Sequence, residues 1–332
     1  MRAMFRAAVG AAGLLAAASL LRGQELPADQ TGFERQAPAP RRKTPSFFHR
    51  PAKATPAEQY AYARQLADEG RARRAAKQYL ALVHAWHQAP EAPLAQEAYA
   101  RYLLERQRYE RAFEEFQYLF DWFAGAFEHE QVLDLQFRIA NAVRTARRGG
   151  LGLFPGFAAP ERALPLFQQI VKNAPYWERA PEAQYMVGSI HEENQAAAAA
   201  AAAYEVLRFR YPRSPMAAAA DFGRARCLYR LAQAAPRDEE AARRALQALG
   251  EFLRHFPEDE QAETARSYLQ ELRGRLEESS FQQALFYDRT ARNPQAAAIA
   301  YRQFLDQFPA SERRAEAERR LRELRASSEA QP

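Results

Sequence analysis

β-Branched residues are scarce: valine, isoleucine and threonine together number 17 in 332 residues. Strands draw on such residues, whereas helices draw on the alanine, arginine, glutamate, glutamine and leucine that dominate here. A sheet protein is excluded. One cysteine, Cys227, leaves no internal disulfide and no cysteine-based metal cluster. The 14 glycines form neither a GxGxxG nor a GxxxxGK[ST] loop, so no phosphate cradle is expected.

The formal charge of +6 suggests a nucleic-acid binder until it is divided along the chain. Residues 1–23 hold +3 and residues 24–57 another +3, while from Glu58 onward 38 basic residues face 38 acidic ones. A nucleic-acid binder carries its positive charge on the folded body; here that body is neutral, and no nucleic-acid partner is expected. The pairs Arg73–Arg74, Arg147–Arg148 and Arg313–Arg314 read as solvated helix ends and faces.

Residues 1–6 are short and positive, and residues 7–21 are an unbroken run of apolar and small side chains. As a helix that run spans about 22 Å, short of the roughly 30 Å of a bilayer core. The shape is that of a secretory signal peptide over residues 1–23, cleaved after Ala18 or Gly23; an uncleaved alanine-rich anchor is the other reading. No cysteine lies near the cleavage region, so no lipid anchor of its own is expected. Residues 24–57 hold six prolines and no helical period, as in a flexible, disordered linker.

Beyond the linker an internal repeat dominates. Ala163, Phe167 and Pro175 stand in the spacing A-x3-F-x7-P, repeated by Ala200, Tyr204 and Pro212, by Ala245, Leu249 and Pro257, and by Ala297, Tyr301 and Pro309. Ala112 with Phe116, and Ala75 with Tyr79, fit without the proline. A small residue and an aromatic four apart share one helix face. The alanine admits a close helix and the aromatic fills the space beside it. The proline stops the helix because it lacks an N–H and restricts the residue before it. Each unit is therefore the second helix of a hairpin, in the tetratricopeptide pattern. Val187 and Gly188 stand where that consensus has its L-G pair. The spacing predicts an all-α fold, an α-solenoid of five to six tetratricopeptide-like helical hairpins over residues 58–326, with a disordered tail at 327–332. A loop insertion is expected between Arg148 and Pro160, and the alanine run at 196–203 is expected to open a packed helix.

The C-terminal half resembles the BamD family, the tetratricopeptide lipoproteins of the outer-membrane β-barrel assembly machinery. The resemblance rests on FRYPRSP at 209–215, FLRHFP at 252–257, Glu271-Leu272, FYDR at 286–289 and YRQFLDQFPAS at 301–311. It covers roughly residues 174–324. It implies an exported, non-enzymatic scaffold at the periplasmic face of the outer membrane, binding the barrel insertase and unfolded barrel segments. The missing lipobox cysteine departs from the family, so membrane association is expected through partners. The alternative is a periplasmic adaptor coordinating cell division or peptidoglycan machinery. A wall-degrading enzyme fits less well, since no catalytic domain is expected after the last repeat.

Residues suited to chemistry are few. His84 and His87 lack a nearby carboxylate pair and read as surface histidines. His191-Glu192-Glu193 lacks the second histidine of HExxH. Cys227, among Gly223, Leu228 and Leu231, reads as a buried thiol. The aromatic stretch Tyr118, Phe120, Trp122, Phe123 and Phe127 reads as inter-helix core, with a docking surface as the other reading. No enzyme, cofactor or metal is expected. In a superhelix of hairpins the first helices line the concave side. Counting back from the repeat alanines, the inward sites are Tyr60, Arg64 and Asp68, then Glu97, Arg101 and Glu105, then Tyr185, Ser189 and Glu192. Their mixture of aromatic, guanidinium and carboxylate groups suits an extended peptide.

Overall fold

The computed structural model describes residues 41–148 and 157–329. The chain divides into two units, Met1–Ala39 and Pro40–Pro332. The first unit, with the expected signal peptide and the first part of the expected linker, lies outside the described residues.

In the second unit consecutive helices pair as antiparallel hairpins: α1 (Pro56–Asp68) with α2 (Ala72–Ala85), α3 (Glu91–Glu105) with α4 (Tyr109–Trp122), and α5 (His129–Thr145) with α6 (Leu164–Asn173). They continue with α7 (Ala180–Glu193) and α8 (Ala197–Arg210), α9 (Ala217–Ala234) and α10 (Glu239–His255), and α11 (Ala262–Leu285) and α12 (Pro294–Gln307). A final helix, α13 (Arg314–Glu329), packs on α12. Each second helix also packs on the next first helix. The protein is an all-α solenoid. The insertion before α6 forms a two-residue antiparallel ladder, Arg147 opposite Ala158 and Arg148 opposite Phe157.

The repeat spacing describes the packing. Ala75, Ala112, Ala163, Ala200, Ala245 and Ala297, with Tyr79, Phe116, Phe167, Tyr204, Leu249 and Tyr301, are all buried. Pro175, Pro212, Pro257 and Pro309 each stand two residues beyond the last residue of α6, α8, α10 and α12. The residue before each proline has left the helical region (Tyr211 at φ −130°, ψ 53°; Phe256 at φ −133°, ψ 62°), which a following proline ring disfavours. Lengthening Ala297 to leucine should therefore overpack the α11–α12 contact and cost about 1–3 kcal/mol. Ala326→Leu, on an exposed site of α13, should leave the thermal midpoint unchanged.

Two boundaries shift. Helix α13 runs to Glu329, three residues past the expected end of the solenoid. The linker, expected to be disordered to residue 57, is fixed at its C-terminal end: residues 41–55 lie as a strap across α2, α3 and α4. Lys43 forms a salt bridge to Glu115, and its Nζ donates to Gln96 Oε1 at 2.7 Å. Its backbone N–H donates to the Tyr118 hydroxyl at 2.7 Å, and its ammonium lies 4.2 Å from the centroid of that ring. His84 Nδ1–H donates to the Thr44 carbonyl at 2.7 Å and its ring stacks on His49. Gln59 Oε1 accepts the N–H groups of Ala52 and Lys53. No period announces such a segment, because its partners are distant in sequence.

The same strap corrects the reading of His84 and His87 as surface histidines. His84 is covered by it, and His87 is buried against Phe123. Burial lowers both ring pKa values, so the neutral His87 Nε2 accepts from the Tyr118 hydroxyl at 2.7 Å. In the aromatic stretch Tyr118 and Phe123 are core, Phe120 and Phe127 pack against it, and Trp122 keeps one exposed edge.

Candidate partner-binding surface

The first helices lie side by side along one face, with α1 touching α3, α7 touching α9, and α9 touching α11. A repeated device fixes how each is rotated. Gln59, Gln96 and Gln184 are buried, and each side-chain amide donates to a carbonyl on its own second helix: Gln78 O at 3.1 Å, Glu115 O at 2.8 Å and Ala203 O at 2.9 Å. The acceptor is always the residue before the repeat aromatic. A buried amide is tolerated only when bonded, so these clamps lock the register of each hairpin. Each glutamine directly precedes Tyr60, Glu97 or Tyr185, so the signal was present in the sequence at those three positions.

Around the first clamp, Tyr60 rests against Tyr79 with ring centroids 5.8 Å apart. The Tyr79 phenol is pushed above its ordinary range by burial, with Tyr60 and Asp68 adding and Arg64 opposing. These three expected residues therefore surround one hydroxyl. In the second hairpin Arg101 pairs with Glu97 within α3 at 2.7 Å. Arg64, Asp68 and Glu105 are exposed and make no ion pair among the described residues.

The fourth hairpin differs. Glu192 accepts Arg226 in a two-point bridge (2.7 and 2.8 Å), Arg230 at 2.9 Å and the Tyr204 hydroxyl at 3.1 Å. Ser189 donates to Glu193 at 3.2 Å, and Tyr185 leans on Tyr204 at 5.5 Å. These groups tie α7 to α8 and α9. Further ties bind the same face on either side. Arg144 pairs with Glu193, Arg179 with Asp134 at 3.2 Å, and Glu271 accepts from Tyr229 and Gln233. From α5 to α11 the first-helix face is thus cross-linked by its own charges, whereas over α1 and α3 it stays open. Periodicity singled out Glu192 but not the arginines that α9 brings to it.

Cys227 is fully buried, and burial pushes its thiol up to about 12; it is an inert core thiol. Among the described residues no group of His, Cys, Asp or Glu is arranged to hold a metal ion. No described helix is long and apolar enough to cross a membrane.

Helical hairpins of this repeat, stacked through buried Ala–aromatic contacts with an open polar face on the first helices, define a tetratricopeptide-type interaction scaffold. The family model described as YfiO, outer membrane lipoprotein, matches residues 161–327, half of the chain. The chain belongs to this family, the BamD-family outer membrane lipoproteins, and membership implies an envelope location. The comparison with curated proteins gave no match. Similar solved structures include YrrB, a tetratricopeptide protein with an unusual peptide-binding site (16% identity, 63% of this chain and 90% of that one, TM-score 0.30). Others are a tetratricopeptide protein from Parabacteroides merdae (12%, 81% and 98%, TM-score 0.29) and the C-terminal part of one from Cytophaga hutchinsonii (16%, 79% and 87%, TM-score 0.31).

Proposed function

We propose that the protein is a non-enzymatic scaffold at the periplasmic face of the outer membrane. It binds protein partners in β-barrel assembly, among them the barrel insertase and unfolded barrel segments. The family match over residues 161–327 carries this reading. In this reading those partners hold the protein at the membrane.

The client surface in this reading is the open part of the first-helix face: Tyr60, Arg64 and Asp68 on α1, and Glu97, Arg101 and Glu105 on α3. Tyr185, Ser189 and Glu192, engaged in internal bonds, serve to hold the scaffold's curvature. A guanidinium grips a carboxylate with two parallel bonds while its stem packs on a ring, which makes Arg64 and Arg101 the principal groups. Replacing both with glutamate should weaken capture of an unfolded barrel segment at least about tenfold, the loss of two charge-assisted contacts. The helical circular-dichroism signal should stay unchanged. Full-strength capture by the double variant would remove this face from the reading.

A further inference from the structure

A second surface lies between the turn that joins α6 to α7 and the C-terminal end of α8. Pro175, Tyr176, Trp177 and Pro181 form one wall, and Arg210 and Tyr211 the other, around a groove of about 680 Å³. Trp177 and Tyr211 pack with one side against the core, whereas Tyr176 is 98% exposed, and Phe209, beside Arg210 in sequence, is 85% exposed. Large aromatics so displayed in a soluble protein mark an interaction site. The walls are nonetheless fixed. The Tyr211 hydroxyl donates to the Pro175 carbonyl at 2.8 Å, bridging the two sides. Trp177 is braced edge-on by Phe137 at 6.0 Å, and its backbone N–H bonds the Ala174 carbonyl.

The polar groups of the groove identify the ligand class. The Tyr176 hydroxyl, the Trp177 indole N–H and the Arg210 guanidinium form no hydrogen bond or ion pair among the described residues. The groove therefore offers donors and flat apolar rings, and Arg210 is its one charged lining residue. A chain that presents carbonyl acceptors without N–H donors, and rigid apolar rings, is a proline-rich segment in the polyproline II form. Such a segment is ordered before it binds and so loses little entropy on docking. The two walls are helices and a tight turn whose own backbone is bonded, so no strand edge is offered for β-addition.

We propose that this groove docks a proline-rich, acid-bearing extended segment of a protein partner, its prolines on Tyr176, Trp177 and Tyr211 and its carboxylate on Arg210. The proposal rests on the scaffold reading but uses a surface apart from α1 and α3.

The test uses the full chain and a blocked synthetic peptide of prolines around one glutamate, with calorimetric titration and the indole N–H resonance of Trp177 as readouts. Binding is expected to move that resonance, identified by its loss in Trp177→Phe. Tyr176→Ala is expected to weaken the peptide at least about tenfold, as for an interface anchor. Arg210→Glu should reverse the preference, so that a lysine-bearing peptide binds better than the glutamate-bearing one. Absence of binding, movement only of the Trp86 or Trp122 resonance, or an unchanged charge preference in Arg210→Glu would overturn the proposal. So would concentration-dependent self-association that Tyr176→Ala abolishes, because the groove would then hold a second copy of this chain. Peptide binding here with no effect of the Arg64 and Arg101 reversals would separate this site from the client face.

Discussion

Adding a methyl group to Gly188 should cost the solenoid about 3 kcal/mol, at the upper end of overpacking penalties. An alanine Cβ there would stand 2.5–2.9 Å from three atoms of the Tyr204 ring, closer than carbon atoms tolerate. A neighbour normally relieves such a clash by shifting, but Tyr204 has nowhere to go. Along the ring's other edge Gly223 is equally close, with a Cβ there falling 2.7–3.0 Å from Cε2, Cζ and Cδ2. Its hydroxyl is tied to Glu192. The ring is held edge to edge between glycines of α7 and α9, which lets three helices meet at one buried tyrosine. Gly188→Ala and Gly223→Ala should each lower the denaturant midpoint sharply. Combining Gly188→Ala with Tyr204→Leu should cost less than the sum of the two, because the smaller side chain relieves the clash. Full additivity would show that the glycines and the tyrosine do not share one space.

Asp288→Ala should destabilise the C-terminal hairpin by about 2–4 kcal/mol, the range for breaking a bonded charge pair whose partner stays partly in water. Asp288 stands in the turn of π-type at Phe286–Thr290, within the FYDR stretch that carries the family resemblance. Its carboxylate is 3% exposed and accepts Arg320 at two points, 2.7 and 2.8 Å, and the Tyr301 hydroxyl at 3.1 Å. One side chain thus joins the end of α11, the repeat tyrosine of α12 and the closing helix α13. Its loss leaves the guanidinium with Glu323 alone and a buried hydroxyl without its partner, and burial already pushes that hydroxyl up to about 12.

The same group sets an acid response. The hydrogen bonds from Arg320 are the main cause holding the Asp288 carboxyl below its ordinary value. A depressed carboxyl contributes stability that is complete above the unfolded pKa of about 4. That contribution fades as pH falls through the lower folded value. Wild-type protein should therefore lose stability below about pH 4 more steeply than Asp288→Asn, with the two curves parallel near neutrality. Identical acid limbs in a pH series of urea melts would remove Asp288 from this role.

The architecture was legible because its cause is local. Ala297 and Tyr301 share a face through helical geometry alone, and Pro309 stops α12 through its own ring, so spacing suffices. Gly188 was legible through the tetratricopeptide consensus; Gly223 was not, since only the fold brings it to the opposite side of Tyr204. The candidate surface was half legible. The period places Tyr60, Arg64, Glu97 and Glu192 on one face, but their availability depends on neighbours in other units. Arg226 and Arg230 engage Glu192 across 34 and 38 residues of sequence, and nothing comparable reaches Arg64. The strap was illegible for the same reason, as Lys43 meets Glu115 across 72 residues. A proline-rich stretch carries no period to announce a contact that long-range packing makes.

Affinity isolation of the tagged full chain from solubilised envelopes of its native host decides whether the scaffold serves outer-membrane barrel assembly. The barrel insertase should co-purify in near-stoichiometric amount and survive a salt wash. Recovery of cell-division or peptidoglycan-synthesis proteins with no insertase present would contradict it.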